Sequence, residues 1–275
     1  MKYKVLVLDI DGTLTNSQKT VTPKTRQALC KVQELGVRLV LASGRPTPGI
    51  TSLAEELELE KFGGFILPFN GAKIIDCGNK KTIFEQTLPM EEIPLLYRSS
   101  QKYNIPIVTY DDCSIITEKS EDPYVNIEAR INKMPVKQVD SFIDAVNFQV
   151  TKCLMVGEGN YLSNVEIEMN AHFGDRLSVY RSEPFFLEIM PQNIDKAYSL
   201  GKLSEHLGCA REEMIACGDG FNDLSMIRYA GLGVAMANAQ PVVKESADFI
   251  TLSNDEDGVA YVAEKFILSS FFISH

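Results

Sequence analysis

The sequence predicts an α/β protein: a Rossmann-like, doubly wound parallel sheet core with an α+β module inserted into it. Three observations carry that expectation. Apolar runs end in polar residues at "KVLVLDIDGT" (4–13), "VRLVLASGR" (37–45) and "MIACGDG" (214–220). A helical pattern separates the first two runs, and strand–helix–strand order implies a parallel unit with a right-handed crossover. Between about 85 and 190 the pattern changes to mixed strands and helices, as an inserted α+β module requires.

Taken in order, "KVLVLD" is the first strand. Thr22 and Pro23 form a helix N-cap and first-turn pair. Ala28, Leu29, Val32 and Leu35 recur at helical spacing, and Gly36 closes the helix. Residues 37–45 form the second strand and 50–60 a helix; "GFILPFNGAKII" (64–75) reads as strand and "DCGNKKT" (76–82) as a turn. The insert shows helices near 90–103, 122–132 and 159–173, with strands "IPIVTY", "CSIITE", "KCLMVG" and "FFLEIM". Leu200, Leu203 and Leu207 then stripe a helix from Lys196 to Gly208. A strand at 214–220, a helix "NDLSMIRYA", short strands "GLGVAM" and "DFIT" and a helix at 257–268 complete the chain. The apolar tail "FILSSFF" is expected to dock on the core. The division expected is 1–84 and 191–275 for the core and 85–190 for the insert.

Composition excludes several classes of function. With 275 residues, 45% hydrophobic and 23% charged, the chain suits a soluble globular protein with a sizeable core. A net charge of −10 without a compensating Lys/Arg run argues against a nucleic-acid partner. No apolar stretch reaches the length of about 18 residues that a membrane span needs. The N-terminus meets charged residues early and lacks a small-residue cleavage pattern, so a cytoplasmic protein without a secretory signal is expected. Cys30, Cys77, Cys113, Cys153, Cys209 and Cys217 form no C-x-x-C pair and read as free thiols. His172, His206 and His275 are scattered, which argues against a histidine triad or metal cluster. Nothing in the pattern sets an oligomeric state.

Open α/β sheets bind ligands outside the carboxyl ends of their strands. Asp9 with Asp11, Ser43 with Arg45, Asn70 and Asp219 all fall at such ends. A carboxylate delivered by an interior strand is costly unless it is paired. Asp9, Asp11 and Asp219 offer only oxygens, the donor set of a hard cation such as Mg²⁺. Ser43 can donate to an anion, and Lys196, at a helix start, adds a positive charge. Together these groups form a clamp for a phosphoryl group, and a carboxylate can itself be the nucleophile. Singly, "DIDGT" also fits a solvated Asp-Gly turn, Ser43-Gly44-Arg45 a loop, Lys196 a solvated lysine, and "GDGFND" a turn with an N-cap at Asn222. The convergence of several strand ends favours a site. Neither G-x-x-x-x-G-K nor G-x-G-x-x-G occurs, which excludes P-loop and dinucleotide fingerprints. Asp111–Asp112 and Asp255–Asp257 read as solvated turns.

These motifs, in this order, resemble the haloacid dehalogenase superfamily, and within it the Cof-type phosphatases with a large α/β cap. The resemblance spans nearly the whole chain. It implies that Asp9 in "DIDGT" is the nucleophile and Asp11 the general acid/base. It places Ser43 in "LASGR" on the phosphate, makes Lys196 in "NIDKAYSL" the phosphate-binding lysine, and makes Asp219 in "GDGFND" a magnesium ligand supported by Asp223. The metal set implied is Asp9, Asp219 and the backbone carbonyl at Asp11. "NGA" (70–72) lies near the substrate, and Gly12, Gly44, Arg45, Asn70 and Asn222 join Ser43 and Lys196 as the substrate- and phosphate-binding set. Residues 85–190 would be the cap, closing over the substrate, excluding bulk water and choosing the leaving group. Asn193 and Ala197 stand where the family usually has glycine. The D-x-D pair sets the dehalogenase branch aside. The activity implied is magnesium-dependent hydrolysis of small phosphorylated metabolites, sugar phosphates first, through an aspartyl-phosphate. The rivals are a phosphotransferase or mutase on the same scaffold and a catalytically idle phosphate-ligand sensor.

Overall fold

The structure, a computed structural model, describes residues 2–269. Strands β1 (Val5–Leu8), β2 (Arg38–Ala42), β3 (Phe65–Leu67), β4 (Lys73–Asp76) and β5 (Lys81–Glu85) come first. They are followed by β6 (Ile107–Tyr110), β7 (Ile115–Thr117), β8 (Val136–Gln138), β9 (Cys153–Val156), β10 (Leu177–Glu183) and β11 (Phe186–Pro191). The last three are β12 (Met214–Gly218), β13 (Leu232–Ala235) and β14 (Phe249–Ile250). The chain divides into two compact units: residues up to Gly44, Ile50–Phe84 and those from Asp195 on form one, and Arg45–Gly49 with Glu85–Ile194 the other.

The first unit is built on a sheet of order β14-β13-β12-β1-β2-β3-β4-β5. It is parallel from β14 to β3 and antiparallel at β3–β4. Helices cover both faces, which is why its strands are apolar throughout rather than alternating. Leu6, Leu8, Leu39, Leu41 and Ile215 pack with Leu29 and Val32 of helix Pro23–Glu34 and with Val259 and Val262 near the C-terminus. Val7, Val40 and Ala216, on the other face, pack with Leu200 and Leu203 of helix Lys196–Leu207. Each such fully buried side chain contributes about 1.5–3 kcal/mol. Register decides where the chemistry lies. Leu8 sits opposite both Leu41 and Cys217, so the chain leaves the sheet at Asp9, Ser43 and Asp219 along one edge.

Most expected elements are present. Thr22 accepts a hydrogen bond from the Thr25 N–H (3.1 Å) and so caps its helix. One expectation fails in this unit. Residues 64–75 are not one strand: β3 and β4 flank a turn at Phe69–Gly71, with φ of +53° at both Phe69 and Asn70 and +92° at Gly71. Pro68 removes a ladder donor just before it, and a positive φ reverses the chain. The expected turn at 76–82 is present, closed by Asp76, whose Oδ1 accepts from the Gly78 N–H at 2.8 Å. The edge strand β5 that follows it was not expected, because its side chains are at best half-buried and show no apolar signal.

The second unit carries a sheet of order β10-β11-β9-β6-β7-β8, antiparallel except at β7–β8. Ile107, Cys153, Met155, Leu187 and Ile189 form its apolar face, under Leu96 of helix Ile93–Tyr103 and Leu162, Val165 and Met169 of helix Gly159–Phe173. Helix Pro123–Asn132 starts on an Asp122 cap. Strands β8 and β10 were not expected, because β8 is short and largely exposed and β10 is only partly buried. Near the C-terminus, helix Gly258–Ala263 continues as a π-helical turn, Glu264–Leu268, with Ile267 buried in the core. The expected docking tail beyond Ser269, and His275, lie outside the described residues. All six cysteines are free. Among the described residues no helix is long and apolar enough to cross a membrane.

Candidate active site

Asp9 follows β1 directly, and its N–H donates to the Cys217 carbonyl at 3.0 Å, which continues the parallel pairing by one residue. The carboxylate is buried, and its Oδ1 accepts from Lys196 Nζ at 2.6 Å. Lys196 is the first residue of its helix, whose N-cap Asp195 accepts from the Tyr198 N–H. The ammonium is wholly buried and also donates to Asp223 Oδ1 at 2.6 Å. Burial alone would lower its pKa, but the Asp223 and Asp9 carboxylates overcome this and hold it above its ordinary value.

Asp223 has a second task. Its Oδ2 accepts from the N–H groups of Asp219 (3.0 Å) and Gly220 (2.9 Å), so it shapes the loop that leaves β12. On that loop, Asp219 Oδ1 accepts from Thr13 Oγ1 at 2.8 Å. Gly12 adjoins the same carboxylate. With φ +81°, a left-handed conformation, any Cβ there would collide with Asp219 Oδ2. The glycine of "DIDGT" is thus required both by backbone conformation and by close approach.

Asp9, Asp219 and Asp223 each offer an oxygen within 4.8 Å of the others, a set that could hold a metal ion. Burial and the Asp223 carboxylate push the Asp9 carboxyl up to about 8, against the pull of Lys196. Burial raises Asp219 to about 6, opposed by the Thr13 hydrogen bond. Carboxylates held together at such a cost fit a cation, and an all-oxygen donor set fits a hard one. Since both Asp223 oxygens are engaged by Lys196 and the loop, Asp9 and Asp219 are the pair best able to ligate.

Asp11 is outside the three-carboxylate set, and its Oδ1 accepts from Lys19 Nζ at 2.8 Å. It lies beyond the β1 ladder, where the chain bridges to Thr15. Its backbone carbonyl is the group left for the metal proposal. Arg45 groups with the inserted unit, and its Nη1 donates to the Gly49 carbonyl at 3.1 Å.

Ser43 is buried at the end of β2, donating its N–H to Leu67 and accepting from the Asn70 N–H. Asn70 Oδ1 accepts from Asn222 Nδ2 at 3.1 Å, and a Cβ on Gly44 would stand 3.3 Å from the Asn70 amide. The second and fourth motifs therefore meet through Asn70. Asn193 has φ +60°, a conformation asparagine tolerates, which gives a backbone reason for the glycine usual at that place. Sequence reasoning missed Thr13, Lys19 and Asn238, whose Nδ2 donates to the Gly12 carbonyl at 2.8 Å. Only Thr13 carried a signal, through its place in "DIDGT". Asp255 and Asp257 are not simply solvated. Asp255 accepts from Ser17 N and Oγ, and Asp257 from the Thr22 and Thr25 hydroxyls. Asp111 does close its own turn, accepting from the Cys113 and Ser114 N–H groups.

The family model for haloacid dehalogenase-like hydrolases matches residues 6–262. The chain belongs to that family. A haloacid dehalogenase-like hydrolase from Bacteroides thetaiotaomicron is 52% identical with a TM-score of 0.94, over 96% of this chain and 100% of that one. The subclass IIB sugar phosphatase BT4131 is 26% identical with a TM-score of 0.81, over 96% and 98%. The 5-amino-6-(5-phospho-D-ribitylamino)uracil phosphatase YcsE of Bacillus subtilis is 31% identical over 265 residues, 96% of each chain.

Proposed function

We propose that this hydrolase is a magnesium-dependent phosphatase of small phosphorylated metabolites, sugar phosphates foremost, acting through a phosphorylated Asp9. The observation that carries the reading is the buried Asp9 carboxylate, oriented by Lys196 at 2.6 Å beside Asp219. Asp9 attacks phosphorus in line, and the bond from phosphorus to the leaving oxygen breaks as Asp11 protonates that oxygen. Water then attacks the phosphorus of the aspartyl-phosphate and gives its proton to Asp11, releasing phosphate and regenerating Asp9. Asp9, Asp219 and the Asp11 carbonyl would hold Mg²⁺, which would supply charge neutralisation for the phosphoryl oxygens. Lys196 keeps Asp9 in place and adds positive charge. Ser43, Gly12, Gly44, Asn70 and Asn222 are assigned to the phosphate and its ester, and Asp223 to support of the loop.

Residues 1–84 and 191–275 are read as the catalytic core, and 85–190 as the cap that chooses the leaving group. Two relatives support the substrate class. One is named for a phosphorylated ribityl compound and the other as a sugar phosphatase. A screen of phosphorylated metabolites, ranked by kcat/KM with Mg²⁺, Ca²⁺ or EDTA, tests the reading. Hydrolysis is expected with Mg²⁺, little with Ca²⁺, whose longer bonds spoil in-line geometry, and none in EDTA. Full activity in EDTA would remove the metal from the mechanism. Repeating the screen with an acceptor sugar separates hydrolysis from transfer.

A further inference from the structure

We propose that Lys19 is a positioning residue for proton transfer, held in place from outside the catalytic motifs by Asn16 and Asp255. The inference rests on the reading of Asp11 as general acid/base. Lys19 Nζ donates to Asp11 Oδ1 at 2.8 Å, with the two side chains 63% and 39% exposed. A mobile surface pair of this kind contributes little, since solvent screens it and two side chains must be ordered. Here the ordering is done by the backbone. Lys19 has φ +60°, which costs a non-glycine residue about 1–3 kcal/mol and persists only where the surroundings impose it.

Those surroundings are specific. The Lys19 N–H donates to the Asn16 carbonyl (2.9 Å) and the Asn16 N–H to the Thr20 carbonyl (3.0 Å), closing a tight turn. Asn16 Oδ1 fills the turn, accepting from Gln18 N (3.1 Å), Thr20 N (3.0 Å) and Thr20 Oγ1 (3.0 Å). Asp255, far along the chain, grips the turn's flank: Ser17 N donates to its Oδ1 at 2.7 Å and Ser17 Oγ to its Oδ2 at 2.6 Å. Asn254 Nδ2 donates to the Thr15 carbonyl at 2.9 Å, and Asn238 accepts from the Asn254 N–H while donating to the Gly12 carbonyl. The segment from Gly12 to Thr20 is therefore tied along its length to residues 238 and 254–255. Its tip presents one ammonium to one catalytic carboxylate. Lys19 thus sets where the Asp11 carboxylate stands as the leaving oxygen takes its proton.

The test compares ester cleavage in single turnovers with enzyme in excess, for glucose 6-phosphate and 4-nitrophenyl phosphate. The first has a poor leaving group that needs the acid, and the second barely needs it. Lys19→Met should slow cleavage of glucose 6-phosphate by about 10-fold or more, inside the roughly 10²–10⁴-fold that acid–base help provides. Cleavage of 4-nitrophenyl phosphate should change by less than about 2-fold on the same grounds. Lys19→Arg should restore most of the loss. Asp255→Ala should show the same selectivity, with an effect not additive with Lys19→Met. Equal slowing of both esters, no slowing, or Lys19→Arg as poor as Lys19→Met would overturn the proposal. Should the unsubstituted enzyme cleave neither ester with Mg²⁺, the phosphatase reading itself falls; should it cleave both while Lys19→Met is unchanged, only the role of Lys19 falls.

Discussion

Asp9 and Asp11 stand two residues apart in different surroundings. Asp9 is buried on Lys196, while Asp11 is half-exposed and faces Lys19. A carboxylate fixed against a buried ammonium suits in-line attack, and one that meets solvent can exchange a proton with a leaving group and then with water. Asp9→Asn should therefore eliminate turnover of every ester, because an amide is a poor nucleophile. Asp11→Asn should lose roughly 10²–10⁴-fold on sugar phosphates. On an aryl phosphate it should release a burst of phenol and accumulate phosphorylated Asp9, seen by mass spectrometry after acid quenching. A folded, Mg²⁺-binding Asp11→Asn enzyme with neither burst nor adduct would show that the two roles are divided otherwise. Both residues were legible in "DIDGT", and their division of labour came with the family resemblance. The turn of Asp11 toward Lys19 was not legible, since it depends on backbone torsions that residue spacing does not encode.

At the scale of elements, the loop after β12 and the start of helix Lys196–Leu207 hold each other. Asp223 gives one oxygen to the Lys196 ammonium and the other to the Asp219 and Gly220 N–H groups. Removing it leaves a buried cation with a single carboxylate partner and two amides without their acceptor. Asp223→Ala should cost about 3–5 kcal/mol in urea unfolding, as expected when a buried pair loses one partner. Mg²⁺ affinity should fall too, because Asp219 rides on the same loop. A loss below about 1 kcal/mol, the range of an exposed pair, would show that Lys196 is not dependent on Asp223. "GDGFND" pointed to Asp219 as a ligand, but the tie between Asp223 and Lys196 joins residues 27 positions apart and exists only once two elements pack.

For the whole molecule, the acidic cluster couples protonation to folding. Above the ordinary carboxylate value of 3.8, an unfolded chain has both Asp9 and Asp219 ionised, whereas the folded, metal-free protein retains protons up to about 8 and 6. The folded state thus binds more protons, and its stability falls as pH rises through that window. A Mg²⁺ ion bound at the cluster would compete with those protons, so its binding should tighten and its stabilisation grow over the same range. Thermal unfolding at several pH values should show a midpoint in EDTA that declines between about pH 4 and 8, with an increment from Mg²⁺ that widens. Midpoints indifferent to Mg²⁺ at every pH would take the cation out of the cluster. Exchanging residues 85–190 for the matching segment of another family member should alter which esters are cleaved more than it alters Mg²⁺ affinity. Steady-state profiles and a metal titration on the same protein decide that. An unchanged ester profile would deny the segment its role in selection.

The sequence by itself determined where chemistry could occur. A strand covered on both faces must stay apolar until it leaves the sheet, so the first polar residues after "KVLVL", "VRLVLA" and "MIACG" mark one edge of that sheet. Helices with a cap and an apolar stripe were legible for a similar reason, since burial of one face imposes its period. Exposed strands such as β5 and β8 were not, because solvent imposes none. Only the tertiary structure decided the partners. Lys196 reaches Asp9 across 187 positions and Asp255 reaches Ser17 across 238. Those pairings follow from strand register and from left-handed turns at Gly12 and Lys19, which bring distant charges together without leaving any period along the chain.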